Sequence, residues 1–140
     1  SHQRRGASSC RLGSGVRALQ VDQDVVRALP AAPTVAQAVL DLRDVFTTGQ
    51  VLRCQRMYVE AAALGLFGRE PYSSSVRDSN VVWLDAVVGH LRAAGADAQQ
   101  AVQWSALVDA TVNGLMLDRP LDGDAAARAV VEDLASAIAG

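Results

Sequence analysis

The stretch Ala98-Gln-Gln-Ala-Val-Gln-Trp-Ser-Ala-Leu-Val-Asp-Ala-Thr-Val-Asn-Gly-Leu-Met-Leu-Asp118 is apolar nearly all the way round when wound as a helix. At about 100° per residue, Trp104, Val108, Thr111 and Leu115 fall on one side, and Val102, Ala106, Met116 and Leu117 on the other. A helix of this kind is buried on more than one side. The core of a 140-residue chain can cover only one of them, so the other needs a partner. Gly114 points the same way, because glycine inside a helix costs about 1 kcal/mol relative to alanine and needs a packing reason. Close approach of a second helix supplies one.

Outward from this segment the chain reads as a succession of helices. Asp97 caps the central one, with Gln100 at the reciprocal capping-box position. A preceding helix runs from the serines at 73–75 to Ala94, with Ser75 and Asp78 as its box, and stops at Gly95. Before it, Val51 to Phe67 places Val51, Cys54, Tyr58, Ala62 and Gly65 on one face and Arg53, Arg56 and Glu60 on the opposite one. The first helix opens at the capping box Thr34-Val-Ala-Gln37, carries Val35, Ala38, Val39, Leu42, Val45 and Phe46 at three- and four-residue spacing, and ends at Gly49. A last helix starts near Asp122 or Asp124 and carries Ala126, Ala127, Val130, Val131, Leu134, Ala137 and Ile138. A short helix over Asp22 to Leu29 is stopped by Pro30 and Pro33. The fold class is therefore all-α, a bundle of five to six helices over residues 21–140. The small side chains of the last helix suit it to pack with Ala98–Asp118 against a second pair, as a four-helix dimer interface.

With 50% apolar and 20% charged residues, the chain has enough material for a core. Only 4% of residues are aromatic, so that core is built mostly from alanine and valine. All 13 basic residues are arginine, against 15 acids, a net charge of −2 that argues against a nucleic-acid surface. Residues 1–20 are the exception, a loose segment with Arg4, Arg5, Arg11 and Arg17 and no acid. No apolar run reaches the roughly 18 to 20 residues that span a bilayer, and Ser-His-Gln-Arg-Arg does not read as a signal peptide. Cys10 and Cys54 are far apart, without a C-x-x-C pair or a nearby histidine, which points to free thiols, a reducing cytoplasm and no zinc site.

The polar exceptions on apolar faces are the candidate binding groups, since pockets are apolar with a few placed polar atoms. Asn80 and His90 project on the side of Val76, Trp83, Val87 and Leu91; Tyr58 sits beside Cys54 and Gln55; Asp109 and Asn113 mark the central helix away from Trp104. His90 is either a core imidazole or a ligand contact, and Trp83 and Trp104 either fill the core or wall a pocket. Cys54 suits a small core position. There is no Gly-rich phosphate loop, nucleophile elbow or defensible carboxylate pair, so neither an enzyme nor a cofactor is expected.

Three passages then carry a family resemblance: Gln55-Arg-Met-Tyr-Val-Glu-Ala-Ala-Ala-Leu64, a long helix after Arg69-Glu-Pro-Tyr72, and Ala106-Leu-Val-Asp-Ala-Thr-Val-Asn-Gly-Leu-Met-Leu-Asp-Arg119, followed by the terminal helix Asp124 to Ala139. In order and texture, residues 20–140 resemble the C-terminal regulatory domain of TetR-family transcriptional repressors. The resemblance implies a homodimer formed through the last two helices, with a small apolar or aromatic effector bound between the others. It assigns Trp104, Leu107, Val108, Thr111, Leu115, Val130, Val131, Leu134 and Ile138 to the dimer interface, to which the small-residue pattern adds Ala126. It places Phe46, Tyr58, Trp83, Val87 and His90 on the helices lining the effector cavity, and the polar exceptions add Cys54, Asn80 and Asn113. Residues 1–33 carry no helix-turn-helix segment, so DNA contact is expected only through a head outside these residues. The rival reading is a ligand-free helical dimerisation module.

Overall fold

The computed structural model describes residues 24–46, 49–118 and 124–139; within them, the side chains at 49–51, 53–55, 75, 79, 118 and 124 are not described. The basic segment 1–20, Cys10, the side chains of Cys54 and Gln55, and the start at Asp122 lie outside the described residues. The architecture is all-α: α1 (Val35–Phe46), α2 (Gly49–Gly65), α3 (Tyr72–Ala93), α4 (Ala98–Asp118) and α5 (Asp124–Ala139). A short helical turn at 24–27 precedes them.

Local chemistry sets most of the ends. Thr34 Oγ1 accepts the Gln37 amide at 3.1 Å, while the Gln37 side chain donates forward to Asp41 at 2.8 Å and does not close the box. At α4 the box closes both ways: Asp97 Oδ1 accepts the Gln100 amide at 2.8 Å, and Gln100 Oε1 accepts the Asp97 amide at 3.4 Å. α3 leaves in a Schellman turn, with Gly95 at φ +112° and the Ala96 amide donating to the Leu91 carbonyl at 3.1 Å.

Two helix starts differ from the sequence reading. Gly49, the expected end of the first helix, instead opens α2. α3 opens at Tyr72, with Pro71 at the N-cap position, so Ser75 falls inside the helix. The reason is Glu70, whose carboxylate accepts the Ser74 amide at 3.3 Å and the Ser74 hydroxyl at 2.9 Å. Pro71, which has no N–H to satisfy, stands at the start without cost.

α1 is the hub. Ala38, Val39, Leu42 and Phe46 are fully enclosed, and the helix touches α2, α3, α4 and, most extensively, α5. α2 and α3 form one antiparallel neighbour pair and α3 and α4 another, whereas α2 meets α4 only lightly. α5 lies chiefly along α1 and less against α4, so the last two helices are not each other's main partners. From α3 the core takes Trp83, Ala86, Val87 and Leu91; from α4, Ala101, Val108 and Val112; from α5, Val131 and Ala135. Val26 and Ala32 of the leading segment close one end. Ser105 is buried with its hydroxyl bonded to the Ala101 carbonyl at 2.6 Å. Arg43 is buried on α1 and bonds Asp44.

Candidate functional site

Three helices bring polar side chains to one place. α2 supplies Tyr58, α3 supplies Trp83, and α4 supplies Asp109 and, one turn later, Asn113, whose Nδ2 donates to Asp109 Oδ2 at 3.4 Å. Trp83 is anchored from below by Phe46 of α1, the rings meeting edge to face at 4.9 Å and 69°. The floor formed by Phe46, Trp83 and Val87 is buried, while Tyr58, Asp109 and Asn113 form a half-buried rim. This rim lies where α2 and α4 make little contact.

The electrostatics of the cluster follow from that burial. Loss of water pushes the Asp109 carboxyl up to about 6, opposed by the nearby Trp83 indole N–H. That N–H favours the carboxylate electrostatically but stands outside hydrogen-bond geometry, leaving Trp83 Nε1 buried without a partner. Burial, and secondarily the Asp109 charge, pushes the Tyr58 phenol up to about 12. The Asp109 charge thus acts on Tyr58, and the Trp83 indole acts on Asp109.

His90 belongs elsewhere. It sits two turns beyond Trp83 on α3, roughly 10 Å along the axis, under the leading segment. There it lines a groove of about 460 Å³ with Val26, Arg27, Asp85, Gly89 and Arg92. Burial lowers its basicity and Asp41 of α1 opposes that, while Nε2 is buried without a partner. A second groove of about 580 Å³, on the other side of Leu29, is lined by Asp41, Asp44 and Val45. The residues expected to share one pocket thus divide: Tyr58, Trp83 and Asn113 lie near Asp109, Phe46 packs on Trp83, and His90 does not join them. Val87 lies in the core between the two places. Asn80 is half-buried one turn before Trp83, and the Cys54 side chain is outside the described residues. Asp109, visible in the sequence only as a polar exception, proves to be the centre. Its one signal was the Asp109/Asn113 spacing of four on an otherwise apolar helix.

The expected interface residues divide as well. Val108 and Val131 are each 1% exposed and belong to the chain's own core. Trp104, Leu115, Leu134 and Ile138 pack partly buried against it, and Thr111 is half-buried with its hydroxyl on the Leu107 carbonyl at 2.8 Å. Only Leu107, Ala126 and Val130 stand exposed. The reason is that Ala101, Ser105, Val108 and Val112 form the buried seam of α4, a helix whose chief neighbour is α3, which turns the opposite side outward. That outer side presents Val102, 59% exposed, Ala106, Ala110, Gly114 and Leu117, 65% exposed. A Cβ at Gly114 would meet nothing within 4 Å, so among the described residues no helix uses the close approach that glycine permits.

Among the described residues there is no group of three His, Cys, Asp or Glu side chains able to hold a metal ion, and no helix long and apolar enough to cross a membrane. Comparison with family models, curated proteins and solved structures returned no match, so the geometry of this chain alone carries the functional argument.

Proposed function

We propose that this chain is the regulatory domain of a TetR-like transcriptional repressor. It dimerises through α4 and α5 and takes a small apolar effector between α2, α3 and α4, controlling a DNA-reading head outside the described residues. The observation that carries this reading is the outer side of α4. Val102, Ala106, Ala110, Gly114 and Leu117 recur at three- and four-residue spacing, are exposed, and include no charge. Val130 and Ala126 of α5 are exposed too. Apolar surface at this spacing is what a second helix pair covers, and a two-fold pairing of identical faces is the simplest way to cover it. An effector would act by favouring one spacing of the two subunits.

The test is sedimentation of Val102→Asp, Leu117→Asp and Val130→Asp. All three residues are exposed in the single chain, so the fold survives while the dimer is lost. Dimer mass unchanged in all three would reject the interface. The close packing of Phe46 and Trp83 favours a second reading, a dimerisation module without a ligand. A thermal-shift panel of apolar and aromatic compounds separates the two, because a ligand at a hundredfold excess over its Kd stabilises by about 2.7 kcal/mol.

A further inference from the structure

The leading segment and α3 enclose a groove of about 460 Å³, a volume that suits a small molecule. His90 lines it, is 6% exposed, and holds its Nε2 buried without a hydrogen-bond partner. Buried polar atoms are ordinarily paired, so this nitrogen is one bond short. Burial also lowers its basicity, so the imidazole offers a hydrogen bond rather than a charge. Charge comes from Arg92, which lines the same groove, stands exposed, and among the described residues has no hydrogen bond or ion pair to its side chain. Arg27 and Asp85, also at the groove, hold each other at 3.4 Å, which leaves its balance positive through Arg92.

Helix geometry keeps the two polar groups apart. Being two residues distant, His90 and Arg92 stand about 200° apart around α3 and approach the groove from its two sides. Between them the lining is small: Ala86, Gly89 and Ala93. A Cβ at Gly89 would meet nothing within 4 Å, so among the described residues no packing calls for a glycine that weakens the helix relative to alanine. The open space above Gly89 belongs to the groove.

We propose that this groove binds a compact phenolic carboxylate, its acid group on the Arg92 guanidinium, its hydroxyl on His90 Nε2 and its ring over Gly89. A carboxylate takes a guanidinium by two parallel hydrogen bonds. A hydroxyl both donates and accepts, so it pairs with Nε2 in either tautomer of the imidazole. A flat ring keeps the two ends apart and fits between the small α3 floor and Val26 and Leu29 of the leading segment. The site is separate from the seam between α2, α3 and α4 and does not rest on the effector reading.

The experiment uses the full chain and three probes of one shape, followed by titration calorimetry at neutral pH: para-hydroxyphenylacetate, phenylacetate without the hydroxyl, and para-hydroxyphenylethanol without the charge. The first should bind most tightly. Loss of the hydroxyl should weaken binding about fivefold, the scale of one neutral hydrogen bond, and loss of the charge at least about tenfold, the scale of a charged one. Arg92→Gln, at an exposed position, should remove the advantage of the acid and leave the alcohol unchanged. Gly89→Leu fills the groove where the fold leaves room, so it should abolish binding of all three while the chain melts no earlier. Affinities unchanged in Gly89→Leu put binding elsewhere and overturn the proposal. So does an alcohol as tight as the acid, a phenylacetate as tight as its hydroxylated relative, or no binding by any of the three.

Discussion

The two sides of α4 are nearly equal in hydrophobicity and opposite in fate. On the inner side, Ala101, Ser105, Val108 and Val112 are buried in the chain's own core. On the outer side, Val102, Ala106, Ala110 and Leu117 stand exposed. One side does the work of holding a monomer together, and the other is surplus to it. Apolar content alone therefore does not reveal which side is core, and an exposed apolar side is informative because single chains rarely leave such a surface uncovered.

Four substitutions break or sharpen that contrast. The largest effect is expected on the inner side: Val108→Asp buries an unpaired charge at a position 1% exposed and should cost about 4 kcal/mol or more. Chemical denaturation measures it, and Val102→Asp, on the outer side of the same helix, should stay within about 0.5 kcal/mol in the monomer. Equal losses for the two would erase the distinction between the sides.

A smaller effect is expected at the rim between them. Asp109 holds its proton up to about 6 in the fold against 3.8 ordinarily, so the folded chain binds that proton more tightly than the unfolded one. Its contribution to stability is present below pH 3.8, declines as pH rises through about 6, and is lost above. Asp109→Asn should therefore raise stability near neutral pH by roughly 2 kcal/mol and flatten that decline. His90 works in the opposite sense: burial lowers its proton affinity, so stability falls as pH drops below 6.5. Comparing the two chains across pH isolates the carboxylate, and parallel curves would show that Asp109 is not under strain.

The smallest effect separates chain from dimer. Gly114→Ala meets open space in the single chain and should stabilise the helix by roughly 0.5–1 kcal/mol. In a dimer whose helices approach closely there, the added methyl should weaken association. A gain in monomer melting together with a loss of dimer would locate Gly114 at the contact; a gain in both would place the contact elsewhere on the stripe.

Much of the fold was legible without coordinates, and the reason is local. The Thr34 and Asp97 caps, the stop at Gly95 and the face of α1 each depend on residues within one or two turns. The start of α3 was missed because Glu70 caps by side chain from before a proline, outside the serine signal that drew attention. The candidate site was legible only in its parts. Tyr58, Trp83 and Asn113 stood out as polar or aromatic exceptions, but Asp109 gained its importance from Tyr58 and Trp83, distant in sequence and supplied by other helices. His90 shared a helical face with Trp83 and was grouped with it, yet two turns of helix carry it under the leading segment instead.

By itself, then, the sequence determined an all-helical chain, the caps at Thr34 and Asp97 with the stop at Gly95, and the excess of apolar surface on Ala98–Asp118. Only the tertiary structure decided which side of that helix is enclosed and that α5 lies along α1 rather than chiefly along α4. Periodicity measures how apolar each side is, and two sides of similar character cannot be ranked that way. The choice comes from which neighbours fit, here chiefly α3, and fit is a property of the assembled helices.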